Sequence, residues 1–104
     1  MLIAICDDEK VIRDQIELFI REQKGKYSVV QYDSGERLLS DNKFFDLVFL
    51  DIQMEGRNGI DIARELRRRK NCNILVFVTG AKEYVYDAFD VSAFHYLLKP
   101  LLES

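Results

Sequence analysis

The sequence has few cysteines, no long apolar run and no excess of basic residues, and each lack excludes a class of protein. Its two cysteines, Cys6 and Cys72, have neither CxxC nor Cys/His spacing, which argues against a disulfide framework or a zinc site. Both are expected to be reduced packing residues. The longest apolar run is far shorter than the roughly 18 residues of a membrane helix, and no secretory leader opens the chain. A soluble, cytoplasmic protein without membrane contact is therefore expected.

Charge and size restrict the function further. The formal net charge is -3, so no broad basic face for nucleic acid is predicted. The one basic run, residues 67–70, falls where a helix should end, and solvated cations there would suit the helix C-terminus. With 104 residues and no repeat or Gly/Ser-rich linker, the chain is expected to form one domain, residues 1–104, without direct nucleic-acid binding.

Strand-like and helical segments alternate along the whole chain. Buried strands are predicted from short apolar runs at residues 2–6, 27–32, 47–50, 74–78 and 93–98. Between them, apolar residues at 3.6-residue spacing predict helices, as at Ile12, Ile16 and Ile20. Strands separated by helices require right-handed crossovers, which predicts an α/β fold with a doubly wound, five-stranded parallel sheet.

Polar residues follow four of these strands at their carboxyl ends, where ligands bind in such sheets. Asp7 and Asp8 follow the first strand, Asp51 the third, Thr79 the fourth and Lys99 the fifth. Three carboxylates in one cleft would repel one another, so a cation is expected between them. Mg²⁺ (or Mn²⁺) suits the cleft, because such an ion takes few carboxylates and leaves a position for a phosphate oxygen.

One of these carboxylates is predicted to accept a phosphoryl group. Asp51 stands alone after the most apolar strand, and a carboxylate there can attack phosphorus to form an aspartyl phosphate. Lys99 would neutralise the charge of the phosphoryl group, and Thr79 would donate a hydrogen bond to it. Taken singly, each acid has a plainer explanation as a turn residue or helix cap, so the prediction depends on the whole set.

Five motifs carry a family resemblance over essentially the whole chain. They are IAICDDE around Asp7 and Asp8, LVFLDIQM around Asp51, NG at residues 58–59, FVTG around Thr79, and FHYLLKP ending at Pro100. With them the sequence resembles the receiver domain of two-component response regulators. The resemblance implies a flavodoxin-like (CheY-like) sheet with strand order 2-1-3-4-5, and a cis bond before Pro100.

The resemblance also implies a role for each site residue. Asp51 would receive the phosphoryl group from the phosphohistidine of a sensor histidine kinase. Asp7 and Asp8 would bind Mg²⁺ beside Asp51, with the backbone carbonyl of Gln53 as a further ligand. The remaining two residues of the set, Thr79 and Lys99, would engage the phosphoryl group.

A switch is implied at the fourth and fifth strands. By the resemblance, Thr79 moves toward the phosphoryl group and Tyr96 turns inward, which changes the surface of helix four and strand five. A plainer alternative makes Tyr96 a half-buried strand aromatic packed beside its neighbours. His95 alternates with Tyr96 and is expected to be exposed.

The sequence departs from the common receiver pattern at two positions. Glu55 stands where many receivers have proline, so the loop over residues 53–59 is expected to be more mobile. Gly80 replaces the usual alanine and leaves the approach to the cleft open. The segment EYVYDAF before FHYLLKP resembles receivers joined to a LytTR-type DNA-binding domain, which implies a C-terminal output domain and transcription regulation.

The end of the sequence carries a separate expectation. Receivers place a fifth helix after strand five, but residues 101–104 supply only about one turn. The fifth helix is therefore expected to be largely missing, together with the output domain. Apolar surface on one face of the sheet should then be bare, with self-association, for example as a homodimer, or reduced stability as the consequence.

Two other functions compete with a signalling phosphoacceptor, which is not an enzyme acting on other substrates. A haloacid dehalogenase-type phosphatase also uses an aspartyl nucleophile and magnesium, but it requires DxD, and Asp51 is followed by Ile52 and Gln53. A protein-interaction module that works without phosphorylation could keep the same fold. The complete set of site residues favours the phosphoacceptor.

Overall fold

The structure is a computed structural model that describes residues 1–101. Strands and helices alternate along this part of the chain as predicted. The elements are β1 (Leu2–Cys6), α1 (Lys10–Arg21), β2 (Ser28–Tyr32), α2 (Gly35–Ser40), β3 (Leu47–Leu50), α3 (Gly59–Arg68), β4 (Ile74–Thr79), α4 (Val85–Asp90) and β5 (His95–Leu98). Among residues 1–101, no helix has the length and apolar character that crossing a membrane requires. The expected loss of the fifth helix concerns Leu102, Glu103 and Ser104, which lie outside the described residues.

The strands form one parallel sheet in the order β2-β1-β3-β4-β5, which confirms the predicted fold class and strand order. Backbone hydrogen bonds continue one residue past the strand ends. The N–H of Asp51 donates to the Cys6 carbonyl at 3.0 Å, and the N–H of Lys99 donates to the Thr79 carbonyl at 2.8 Å. These bonds hold the polar residues that follow the strands at one edge of the sheet.

Alternate residues of each strand supply two apolar layers. In β1, Ile3 and Ile5 pack on the α1 side, whereas Ala4 and Cys6 pack on the side of α2 and α3. The second layer is the larger of the two. On the α1 side the described residues leave an open apolar groove of about 470 Å³ that reaches Leu101. This groove lies on an apolar face of the sheet among residues 1–101, while a face left bare by a missing fifth helix, and self-association, stay predictions.

Asparagine and glycine together fix the start of α3. The Asn58 side chain caps the helix, because its Oδ1 accepts from the Ile60 N–H at 2.7 Å. A Cβ on Gly59 would lie 2.0 Å from the carbonyl oxygen of Asp51, so only glycine lets the helix begin this close to β3. The NG motif thus has a packing reason, and it places α3 directly against the backbone of Asp51.

Two expectations from the sequence are wrong in part. Of the free cysteines, Cys6 is buried but Cys72 is exposed, because Asn71 and Asn73 take the inward positions of that turn. The basic run at residues 67–70 is not wholly solvated. The guanidinium of Arg67 turns inward and donates to the carbonyls of Val91, Asn71 and Asn73, so this residue is structural.

Candidate functional site

Three of the predicted site residues meet at the carboxyl edge of the sheet. Asp7 and Asp51 are 1% and 3% exposed, and the Lys99 ammonium lies between them. Its Nζ is 3.0 Å from Asp7 Oδ2 and 3.1 Å from Asp51 Oδ2. The parallel register explains the meeting, since β1, β3 and β5 all end at this edge.

Asp8 completes a carboxylate cluster at the mouth of the site. Asp7, Asp8 and Asp51 each offer one oxygen, and these oxygens lie within 4.8 Å of one another. Asp8 is exposed, so the cluster opens toward solvent on its side. Carboxylates this close disfavour one another's charge unless a cation lies between them.

The buried oxygens of the cluster are short of donors. Within residues 1–101, Asp51 Oδ1 has no hydrogen-bond partner, and Asp7 Oδ2 has only its ionic contact with Lys99. A buried carboxylate oxygen without a donor carries a free-energy penalty. A divalent cation would remove that penalty, because hard oxygen donors are the ligands that Mg²⁺ prefers. The three aspartates therefore fit a divalent metal.

Burial and charge set the protonation of the cleft. Burial raises the pKa of Asp7 above its ordinary value and outweighs the lowering by the Glu9 N–H and by Lys99. Burial alone would lower the pKa of Lys99, but its hydrogen bonds with Glu9 and Asp7 and the charge of Asp51 hold that pKa above the ordinary value. The ammonium thus stays charged, while the charge of Asp7 is poorly stabilised by the protein alone.

Two residues that the sequence interpretation missed hold this loop. Asp7 Oδ1 accepts from the Glu9 N–H at 2.9 Å, and the Asp7 carbonyl accepts from Arg13 Nη1 at 2.7 Å. The Glu9 carboxylate reaches Lys99, with Oε2 3.0 Å from Nζ. Sequence signals existed for both, since Glu9 extends the acidic pair and Arg13 lies one helical turn after Glu9.

The cleft beside Asp51 has a volume of about 410 Å³. It is lined by Asp8, Glu9, Asp51, Gln53, Gly80 and Lys99. A Cβ on Gly80 would meet no atom within 4 Å, which agrees with the predicted open approach. After Gln53, two hydrogen bonds hold the loop. The Glu55 N–H donates to Asp8 Oδ2 at 3.4 Å, and the Arg57 N–H donates to Glu36 Oε1 at 3.1 Å.

Thr79 is adjacent to the cleft but does not line it. Its side chain is fully buried, and its Oγ1 accepts from the N–H of Ala81 at 3.3 Å. On the other side of Ala81, the carbonyl accepts from the hydroxyl of Tyr96. A single residue, Ala81, thus links the hydroxyl of Thr79 to that of Tyr96.

Tyr96 is half-buried and lies against Phe77, with ring centroids 6.1 Å apart. Burial raises the pKa of its phenol. His95 beside it is exposed, as predicted. Apart from Tyr96, several large side chains of α4 and β5 are exposed to solvent, including Tyr86 at 87% and Phe89 at 82% exposure.

The fold and the site define a class of doubly wound α/β domains that carry an acidic cleft, fit for a divalent metal, at the carboxyl ends of their strands. The family model of the response regulator receiver domain matches residues 3–104. The chain therefore belongs to the response regulator receiver domain family, the signalling phosphoacceptors of two-component systems.

The relatives of the chain are longer proteins. It is 36% identical over 104 residues to the sensory transduction protein LytT of Bacillus anthracis, which covers 97% of this chain and 42% of LytT. Against LytT of Bacillus subtilis the identity is 34%, covering 97% of this chain and 43% of that protein. The chain spans less than half the length of these curated relatives.

A solved structure gives the same fold. The response regulator protein TrrA from Thermotoga maritima, in complex with Mg²⁺ and beryllium fluoride, matches with a TM-score of 0.83 at 29% identity. The match covers 96% of this chain and 87% of TrrA.

Proposed function

We propose that this chain is the phosphoacceptor switch of a two-component system and that Asp51 carries the phosphoryl group. The chain is cytoplasmic, and the phosphoryl donor is the phosphohistidine of a sensor histidine kinase. The reaction depends on Mg²⁺, or on Mn²⁺ in its place. The observation that carries the proposal is the buried Asp51 carboxylate. Among residues 1–101 one of its oxygens has no donor, and the other lies 3.1 Å from the Lys99 ammonium.

Asp7, Asp8 and Asp51, with the backbone carbonyl of Gln53, would hold the metal. When bound, the ion neutralises the clustered carboxylates and the charge on the phosphoryl oxygens. The support for this ligand set is the approach of three carboxylate oxygens to within 4.8 Å of one another. The complex of TrrA with Mg²⁺ and beryllium fluoride supports it from a related receiver.

The transfer itself needs positioning and charge neutralisation more than acid–base chemistry. An oxygen of Asp51 attacks phosphorus, the new O–P bond forms as the N–P bond of the phosphohistidine breaks, and the electron pair of that bond stays on the imidazole nitrogen. Lys99 holds one phosphoryl oxygen by its ammonium. The open space beside Gly80 admits the donor.

The signal leaves the site through Ala81. When Thr79 turns toward a phosphoryl oxygen, its hydroxyl gives up the bond from the Ala81 N–H, and the Ala81 carbonyl that holds Tyr96 moves with it. Tyr96 then changes its packing, and the exposed surface of α4 and β5 changes with it. This is a shift between two populated states, biased by the phosphoryl group.

The output is a C-terminal domain beyond residue 104 in the full protein, of the LytTR DNA-binding type. Support comes from the two LytT relatives, of which this chain covers 42% and 43%. The receiver, residues 1–104, does not contact DNA itself, and the α4 and β5 surface controls that domain or a receiver homodimer. The regulated function is transcription.

Intact mass measurement tests the acceptor. The chain is incubated with Mg²⁺ and acetyl phosphate, and an adduct of one phosphoryl group is expected on the wild type and absent from Asp51→Asn. Glu55→Gln is the control and should be phosphorylated like the wild type. An adduct that persists in Asp51→Asn would contradict the assignment, and no adduct on the wild type would favour a module that works without phosphorylation.

A further inference from the structure

The Lys99 ammonium contacts three carboxylates, and the proposed function uses only two of them. Nζ lies 3.0 Å from Asp7 Oδ2, 3.1 Å from Asp51 Oδ2 and 3.0 Å from Glu9 Oε2. An ammonium has three N–H donors, so these contacts match its whole capacity. A phosphoryl oxygen can reach Lys99 only if one of the carboxylates yields its place.

Glu9 is the carboxylate that can yield. Asp7 and Asp51 are buried, with side chains 2% and 3% exposed, and both belong to the candidate metal site. The Glu9 side chain is 59% exposed. Its removal from Lys99 therefore returns a carboxylate to water instead of leaving a buried charge unpaired.

Glu9 is also at a helix N-cap, a position where the side chain usually hydrogen-bonds to the first turn of the helix. It is the N-cap residue of α1, yet its side chain makes no capping hydrogen bond. The carboxylate is directed to Lys99 and lines the cleft beside Asp51. The contact with Lys99 is thus the interaction that orients the Glu9 side chain.

We propose that Glu9 competes with the phosphoryl group for Lys99 and so sets the affinity of the cleft for phosphoryl oxygens. The inference rests on the proposed function and assigns an affinity-determining role to a residue outside the acceptor and metal set. In the free protein Glu9 holds the ammonium in place. In the phosphorylated protein a phosphoryl oxygen replaces the Glu9 carboxylate at Nζ, and Glu9 turns to solvent.

Beryllium fluoride, which mimics a phosphoryl group on a carboxylate, provides the measurement. Its dissociation constant in the presence of Mg²⁺ is determined by isothermal titration calorimetry for the wild-type chain and for Glu9→Gln. We expect Glu9→Gln to bind about three-fold more tightly, the size expected from a competing, partly exposed ion pair. The gain should shrink at high salt, because the competing contact is ionic.

Two control variants distinguish the contact between Glu9 and Lys99 from a general effect of removing negative charge near the cleft. Glu9→Asp keeps the charge but shortens the side chain, so it should bind about as tightly as Glu9→Gln if the contact with Lys99 is what matters. Glu55→Gln removes a charge from the loop next to Asp8 and should bind like the wild type. Thermal unfolding of each variant checks that the fold is unchanged.

Each other outcome counts against the proposal in its own way. Equal gains in Glu9→Gln and Glu55→Gln would overturn it, since a general charge effect would then explain both. Weaker binding by Glu9→Gln would also overturn it, because Glu9 would then assist Lys99. A wild-type chain that binds no beryllium fluoride with Mg²⁺ would overturn the proposed function, and this inference with it.

Discussion

Charged side chains lie at both ends of the parallel sheet, half-buried at the amino end and buried at the carboxyl end, and the two ends supply hydrogen-bond partners differently. At the amino end, the Arg67 guanidinium donates to the carbonyls of Val91, Asn71 and Asn73 over 2.8 to 3.0 Å. At the carboxyl end, Asp51 Oδ1 has no donor among residues 1–101. A half-buried charge with all its hydrogen-bond partners supports the fold, whereas a buried charge left short of partners is available for a ligand.

The two ends also differ in the charge of the groups that contact the charged side chains. Arg67 is held by neutral carbonyl groups, and burial lowers its pKa without removing its charge. The carboxylates of the cleft face one another, and burial raises the pKa of Asp7. The charge at one end of the sheet is therefore fully provided for by the protein, whereas the carboxylates at the other end fit a cation and, by the proposed function, a phosphoryl group.

The largest expected effect is at the amino end. Arg67→Met should lower the free energy of unfolding by about 3 kcal/mol, because it leaves several part-buried carbonyls without a donor. Urea unfolding measures this. Arg68→Met is the matched control, since the Arg68 side chain is 73% exposed and its loss should change stability by less than about 0.5 kcal/mol. Equal effects of the two substitutions would contradict the claim that the partners of Arg67 stabilise the amino end of the sheet.

The next effect is at the carboxyl end and depends on metal. Mg²⁺ at one hundred times its dissociation constant should raise the free energy of unfolding of the wild type by about 2.7 kcal/mol. Asp8→Asn removes an exposed residue of the proposed metal site and should lose most of this gain, while Asp61→Asn, on the exposed face of α3, should keep it. A gain that survives in Asp8→Asn would place the metal elsewhere. Unfolding curves with and without EDTA provide the measurement.

The smallest effect concerns Asp7 without metal. Because the pKa of Asp7 is raised in the folded chain, the folded state holds its proton to higher pH than the unfolded state does. The stability that Asp7 contributes is thus greatest at low pH and falls as pH rises from the unfolded value of about 4 through the folded pKa.

Asp7→Asn should therefore be more stable than the wild type at pH 7 in EDTA, by about 1 kcal/mol. The difference should disappear toward pH 3. Parallel unfolding curves at several pH values test the sign. A less stable Asp7→Asn at pH 7 would mean that Lys99 stabilises Asp7 more than burial destabilises it, and the comparison between the two ends would fail.

Much of the fold follows from local pattern. Apolar runs identified the five strands found in residues 1–101, although β5 begins at His95 and not at residue 93. The turn before it explains the difference, because Ser92 has a φ of 56°. The strand order came from the family resemblance, since periodicity alone does not say which strands are neighbours. The grouping of acids and lysine at one edge followed from parallel strands, while the roles of these residues stay predictions.

The residues that the sequence interpretation placed wrongly or missed have long side chains or lie in turns. Arg67 belongs to a basic run that looked solvated, and only the approach of the segments before β4 and β5 gives its guanidinium carbonyl partners. Glu9 is beside an acidic pair, but its contact spans 90 residues of sequence. Such partners cannot be inferred locally, because several rotatable bonds let these side chains choose among neighbours.

By itself, the sequence determined which segments are strands and helices and which polar residues follow the strands, because backbone preference and apolar spacing are local properties. The tertiary structure decided which of those polar groups have hydrogen-bond or ionic partners. Lys99 meets three carboxylates, and Asp51 keeps an oxygen without a donor among residues 1–101, because β1, β3 and β5 all end at the same edge of the sheet. Satisfaction of a buried charge depends on distances between segments, and those exist only once the sheet has assembled.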